Sequence, residues 1–496
     1  MPSSTWTLPG VDRNQTGACA IAPTVSQRDR TCEWVMFRLK RMRFDRRKRP
    51  VTTDRDTQPA PMSLAGRLSS RTSQASDFWD FRAVSKRTGG HGFFQYPAMM
   101  VPELQGALLD DLIAVDSKVR SVYDPFMGSG TVMIESLYRG LSFHGTDINP
   151  MAVLLSYVKS SPPSGEIALA AGREVLALAR LDRSDVLHDF LHRDKWFVPA
   201  TVLTLSRLRR AIQQIEGIDL RRYLWVCLAE TVRLASNSRE STFKLHVYSP
   251  EVLATRAHDT LRTFLQVSST NAKRCGEHWG RFTSGSNSKG TVTKTLLRGD
   301  VPDSFVAPKG EVDVVMPSPP YGDNQTTVPY GQHSYLPLRW IDQHDLVGAF
   351  DAHLLSTPSA IDHASLGGSR RLERARGLTL KSQLPSLANF LDRIDGNESG
   401  QSKVLSFTSD YERAIHGVSS RLKVGGYSFW TLGERRVGGQ EMPLVAVTAE
   451  ILSNYGHSEV TTISRQLPSR KRMASKNRSG ATMVTEQILV TRKTRA

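Results

Sequence analysis

Residues Ser121 to Thr131 read SVYDPFMGSGT, and VMIESLYRG follows at Val132 to Gly140. The stretch predicts a short strand, a glycine-bearing turn and an amphipathic helix that begins near Thr131. Gly128 and Gly130 let the backbone approach a ligand closely. The helix N-terminus offers unpaired N–H groups to the same ligand. Leu141 to Thr146 then forms the next strand, which ends in Asp147. A carboxylate at the end of the second strand of a doubly wound sheet is placed to hold ribose hydroxyls. The turn lacks the third glycine of a dinucleotide fingerprint, and it lacks the Gly-Lys-Ser/Thr of a phosphate loop. Strand, turn, helix, strand and acid in this order predict a doubly wound, Rossmann-like α/β sheet.

The second informative stretch is VDVVMPSPPY, Val312 to Tyr321. β-Branched residues build a buried strand, and Pro319 and Pro320 forbid its continuation. Each of these prolines fixes its own φ and pushes the residue before it into an extended state. The product is a rigid loop at a strand's carboxyl end. It presents the Ser318 hydroxyl, backbone carbonyls without donors and the Tyr321 ring. Such a loop suits a planar group that carries an NH2, because its oxygens accept the two hydrogens and the ring stacks on its face. An ordinary surface Ser-Pro-Pro turn is the plain alternative.

On these two motifs the sequence resembles the S-adenosylmethionine-dependent amino-methyltransferases that act on DNA. The Ser318-Pro319-Pro320-Tyr321 form resembles the cytosine-N4 branch; the adenine-N6 branch more often has Asp or Asn at the first position. The resemblance spans roughly Phe93 to the C-terminus, with gaps. It implies an α/β methyltransferase sheet with a late antiparallel hairpin, and catalysis by Ser318, Pro319, Pro320 and Tyr321. It further implies a cofactor pocket from Asp124, Pro125, Phe126, Gly128, Gly130, Thr131, Asp147 and Ile148. Phe94, Tyr96 and Pro97, in the segment before the glycine turn, are carried over to the methionine end of that pocket, and Asp300 to the adenine amino group. It also implies site-specific methylation in a restriction-modification setting, with a cognate restriction endonuclease as a partner. Adenine-N6 methylation, methylation of RNA or a protein amide, and a DNA-binding subunit without activity stay open as alternatives.

The 496 residues carry a formal net charge of +17, which argues for a polyanionic partner such as double-stranded DNA. Four cysteines (Cys19, Cys32, Cys227 and Cys275) are too scattered for a disulfide framework or a cysteine-rich zinc site. None follows a proline, so the Pro-Cys nucleophile of cytosine-C5 chemistry is missing, and no metal is called for. No apolar run is long enough to span a membrane and no signal peptide is evident, so the sequence reads as a cytoplasmic protein.

Composition divides the chain. Residues 1–75, rich in Ser, Thr, Pro and Arg, read as poorly ordered. Their basic run from Arg38 to Arg49 reads as a solvated tail or a phosphate-binding arm, unless translation starts at Met62. Residues 76–160 form the first part of the cofactor-binding domain. Residues 161–290 read as a basic helical insert, a candidate for DNA recognition, with Lys273 to Lys289 as a mobile stretch. Residues 291–496 complete the domain, and 322–400 holds a second candidate recognition segment. Within the insert, the polar stretch Ser236 to His246 places Arg239 and Lys244 as candidate phosphate contacts. Gly322 to Gly331 reads as a loop closing on the target, with Tyr330, His333 and Tyr335 as candidate stackers and His333 as a candidate general base. Association with DNA is expected to weaken steeply with added salt. A filter-binding series over increasing salt tests this, and a flat response would show that the charge serves another purpose.

Overall fold

The structure, a computed structural model, describes residues 62–82, 87–240, 242–285, 294–298, 307–322, 328–367, 374–433, 436–467 and 484–495. Asp300, the basic run from Arg38 to Arg49, and part of the loop after Tyr321 lie outside the described residues. The described chain belongs to one compact unit, Ala60–Ala496. No helix among the described residues is long and apolar enough to cross a membrane.

Seven strands form one sheet: β1 (Ser121–Asp124), β2 (Ser142–Asp147), β3 (Lys294–Arg298), β4 (Val312–Val315), β5 (Leu422–Gly433), β6 (His457–Gln466) and β7 (Thr485–Lys493). Their spatial order is β3-β2-β1-β4-β5-β7-β6. Strands β1 to β5 are parallel to their neighbours. β7 runs antiparallel to both β5 and β6, which makes the expected late hairpin. The chain therefore starts in the middle, winds outward through β2 and β3, and returns to lay β4 on the other side of β1. The carboxyl ends of β1 and β4 flank this reversal, where doubly wound sheets open a ligand crevice.

The period-two alternation of strands sorts side chains to the two faces. Val122, Val314, Phe429, Ile488 and Val490 share one core with Leu108 and Ile134. Tyr123, Val315, Trp430 and Leu489 point into the other, with Phe407, Tyr411, Ile415 and Val447. The helices Pro102–Val115 and Thr131–Tyr138 supply the first core, and Glu398–Ser419 and Leu444–Asn454 the second. The helices Gly165–Leu181, Pro199–Gln214, Ile218–Ala235 and Thr260–Gly285 lie in the chain between β2 and β3, as the length of that segment suggested.

Several expectations need correction. Part of the stretch read as poorly ordered, Leu64–Gln74, is a helix, because Leu64 and Leu68 are buried and Arg67 and Arg71 both bind the Asp111 carboxylate. The stretch from Lys273 is helical up to Gly285, since Ala272, Cys275 and His278 bury one face at helical spacing. Tyr411 to Leu422 reads in the sequence as a helix stopped at Gly425-Gly426, but the helix ends at Ser419 and Gly425-Gly426 ends no element. β5 runs through it, with a shift in pairing against β4 where a Cβ on Gly426 would meet the Asp313 carbonyl at 2.8 Å. Tyr330–Trp340 is a helix rather than a loop. Part of 350–400 is core, with Leu384, Leu387, Phe390 and Leu391 buried beside Trp430.

β1 and β4 pair only through Val122 with Val314 and Tyr123 with Val315. A side chain reinforces this short junction. Asp313 Oδ2 accepts from the backbone N–H groups of Arg120 (2.8 Å) and Ser121 (2.9 Å) and from Ser121 Oγ (3.0 Å). Its other oxygen pairs with Lys423 of β5. Burial opposes its ionisation, but these partners win and hold its pKa below the usual carboxylate range. Asp313→Ala is expected to destabilise the protein by about 3 kcal/mol, because it strands two backbone donors and a lysine. Guanidinium unfolding checks this, and an unchanged midpoint would mean that the junction holds without the carboxylate.

Candidate active site

The turn after β1 and the loop after β4 open onto one cavity. Its lining includes Pro125, Phe126, Met127, Gly128, Ser129 and Thr131 from the first, and Ser318 and Pro320 from the second. Tyr96, Pro97, Asp147, Ile148, Asn149 and Tyr330 complete much of the wall. Met316 N donates to Tyr123 O (3.0 Å) and Met127 N to Thr146 O (3.1 Å), so both turns leave the sheet at adjacent strand ends.

The glycine turn is held from several sides. Gly128 and Gly130 have φ of +48° and +74°, where a side chain is strained. A Cβ on Gly130 would also meet Ser156 Oγ at 2.8 Å. Gly130 does not line the cavity; it lets the chain enter the helix against Ser156. Phe126 N donates to Asp124 Oδ1 (3.0 Å), and Gly128 N donates to Asp147 Oδ2 (2.8 Å). Asn149 N donates to Asp147 Oδ1 (2.8 Å). Burial pushes the Asp147 pKa up to about 6, against the pull of these two N–H groups. Asp124 is fully buried beneath the turn and does not line the cavity; burial raises its pKa well above the usual range, and its Oδ2 has no hydrogen-bond partner among the described residues. Lys159, also fully buried, donates from Nζ to the Ser129 carbonyl (2.7 Å); burial holds its pKa well below the usual lysine value.

The remaining predicted residues separate into groups. Tyr96 lines the cavity, with its hydroxyl 3.2 Å from Asn149 Nδ2, and its ring lies 5.8 Å from that of Tyr330. Tyr330 thus stands on the Tyr96 and Asp147 side of the cavity. Phe94 does not line it: the ring is core, edge-on to His333 at 5.6 Å. His333 is buried, and its Nε2 donates to the Gln95 carbonyl (2.7 Å). Burial drives its pKa down to about 4, so it is neither a stacker nor a base here. Tyr335 is also buried core rather than a stacker. Arg239 is exposed, and Lys244 is half-buried on the same polar loop. That loop packs on the helix of Tyr330, through Phe243 against His333 and Leu245 N donating to Gln332 Oε1 (3.4 Å).

Pro319 is buried and, unlike Ser318 and Pro320, does not line the cavity; its carbonyl accepts no hydrogen bond from a described residue, whereas the Pro317 carbonyl is taken by Thr431 N (3.0 Å). Tyr321 does not line the cavity. Its ring packs on the sheet's second core and its hydroxyl donates to Glu486 Oε1 (3.2 Å), so its expected stacking on a ligand is not the arrangement found. Sequence reasoning missed Ile361, Ser365 and Leu366, which close the cavity from the segment read as a recognition region. It also missed Asn149, although Asn-Pro ahead of a helix signals an N-cap, and Asn149 Oδ1 does accept from Met151 N (3.0 Å).

No family model matches the chain. It is similar to the type II methyltransferase M.MvaI of Kocuria varians, with 29% identity over 454 residues, 86% of this chain and 96% of that protein. Among solved structures, the rRNA methyltransferase aviRa from Streptomyces viridochromogenes aligns with a TM-score of 0.27 and 10% identity, over 80% of this chain and 86% of that one. A second structure of the same enzyme gives 0.27 and 11% over the same shares.

Proposed function

We propose that the protein is a site-specific DNA methyltransferase that transfers a methyl group from S-adenosylmethionine to the exocyclic N4 of cytosine in duplex DNA, in a restriction-modification setting. The observation that carries this reading is the shared cavity: a glycine turn and a Ser-Pro-Pro loop line it together, at the sheet's switch point. The type II methyltransferase relative supports the reaction class and the setting.

The residues fit the cofactor. Gly128 and Ser129 offer a close backbone approach, and Asp147 offers acceptors to ribose hydroxyls. Beneath the turn, Asp124 Oδ2 is a buried acceptor without a partner, which suits an ammonium group. Tyr96, Pro97, Ile148 and Tyr330 supply the apolar walls. When bound, S-adenosylmethionine supplies an electrophilic methyl on a sulfonium.

The protein's part is positioning. The exocyclic amine of cytosine is a poor nucleophile because its lone pair is delocalised into the ring. Ser318 Oγ and the Pro319 carbonyl accept its two hydrogens, which favours a pyramidal nitrogen with its lone pair directed into the cavity. The prolines fix these acceptors before the substrate arrives, so little reorganisation is left to do. A base inside a duplex cannot reach them, so the nucleotide is flipped out. Arg239 and Lys244, beside the helix of Tyr330, are placed to hold phosphates.

Ser318→Ala is expected to cut turnover by about 100-fold or more while S-adenosylmethionine affinity stays within about twofold. Equal loss of both would mark the loop as structural. Nucleoside mass spectrometry of DNA treated with the wild-type protein is expected to yield N4-methylcytosine. Finding only N6-methyladenine would overturn the choice of base.

A further inference from the structure

Asn149 follows β2 and precedes the helix Pro150–Ser160. Capping that helix uses only its side-chain oxygen: Oδ1 accepts from Met151 N (3.0 Å). Ser, Thr or Asp would cap comparably, but none of them carries a side-chain N–H donor. The bond from a backbone N–H also fixes which amide atom is the oxygen, so the two N–H groups of Nδ2 are directed elsewhere. One donates to Tyr96 Oη (3.2 Å) and the other to Ser334 Oγ (2.8 Å). Asn149, Tyr96 and Ser334 are all buried, so these bonds are shielded from water.

The amide joins three parts of the chain at the cavity. Asn149 N donates to Asp147 Oδ1 (2.8 Å), which ties it to the acid at the end of β2. Tyr96 lies in the stretch 93–101, which forms no helix or strand. Ser334 sits one turn after Tyr330 on the helix Tyr330–Trp340, so the two residues share a face of it. The neighbouring His333 holds the same irregular stretch by donating from Nε2 to Gln95 O (2.7 Å). The rings of Tyr96 and Tyr330 meet 5.8 Å apart, their planes 31° from parallel, and form one aromatic wall. Tyr96, Tyr330, Asp147 and Asn149 all line the cavity; Ser334 does not.

We propose that Asn149 is a positioning residue of the cofactor site, holding the Tyr96–Tyr330 wall against Asp147 with Ser334 as its buried anchor. The inference rests on the S-adenosylmethionine reading. Asn149 fixes one ring directly, through the Tyr96 hydroxyl, and the other through the helix that carries Ser334. Without the amide the irregular stretch around Tyr96 is free to shift, and the cost of ordering it falls on ligand binding. The wall meets the cofactor alike before and during transfer, so its loss shows in affinity rather than in turnover.

The test is calorimetric titration with S-adenosylmethionine, together with steady-state methyl transfer to plasmid DNA, for wild type, Ser334→Ala, Asn149→Ser, Tyr96→Phe and the double variant Asn149→Ser/Ser334→Ala. Asn149→Ser keeps a helix cap and loses both amide donors. Ser334→Ala removes the anchor without altering the cavity lining. Each single variant is expected to weaken S-adenosylmethionine binding by about tenfold and to raise its KM to match, with kcat at saturating cofactor within about twofold. The double variant is expected to bind no more weakly than Asn149→Ser alone, because Ser334 acts only through Asn149. If Asn149→Ser fails to fold, Ser334→Ala and Tyr96→Phe decide. Wild-type affinity in Ser334→Ala overturns the inference, as do losses that add in the double variant. A fall in kcat as large as the rise in KM also overturns it, since that marks general disruption. In each of these outcomes the wild type still binds the cofactor and the S-adenosylmethionine reading stands. If the wild type itself binds none, that reading falls and the inference with it.

Discussion

The protein depends on one parallel contact, β4 laid against β1 after the chain has wound outward and come back. A helix-connected sheet that reverses direction in this way cannot cover the carboxyl ends of the two central strands, because the crossovers on either side run to opposite flanks. The gap is a consequence of topology. Here the contact is short, two paired residues on each strand, and the Asp313 carboxylate gathers the backbone of Arg120 and Ser121 onto it. What the chain places at those two strand ends determines what the gap can do.

At one end it places glycines, and at the other prolines. Both are backbone devices, and they act in opposite senses. The glycines open φ values that other residues avoid, so amide groups come close to whatever sits there. The prolines remove freedom and fix a serine hydroxyl and a carbonyl. The surrounding polar groups act on these turns more than on solvent. Asp147 binds the Gly128 amide, Lys159 the Ser129 carbonyl and Glu486 the Tyr321 hydroxyl. Buried charges cost desolvation unless they are hydrogen-bonded, and the fully buried Lys159 fits a role in fixing the turn. A preorganised cavity, assembled before any ligand arrives, is what transfer by positioning requires.

Features dictated by the local backbone were legible in the sequence. The strand, turn, helix and acid around Gly128 came through, as did the rigid loop at Ser318 and the helices between β2 and β3, since each depends on residue types at fixed short spacings. Features that depend on distant partners were not legible. Tyr321 read as a stacking ring, but its hydroxyl finds Glu486 165 positions along the chain. The helix of Tyr330 was hidden by Gly331 and an internal Pro337, and the Asp362 carboxylate that caps its first amides comes from another element. Phe94 carried an aromatic signal that served the core instead. Ile361, Ser365 and Leu366 carried no local signal at all.

Calorimetric titration with S-adenosylmethionine tests most directly whether this cavity is a cofactor site. The wild-type protein is expected to bind one equivalent, and Gly128→Asp, which puts a side chain and a negative charge into the turn, is expected to bind none. Heat from the wild type that persists unchanged in the variant, or none from the wild type, would contradict the account.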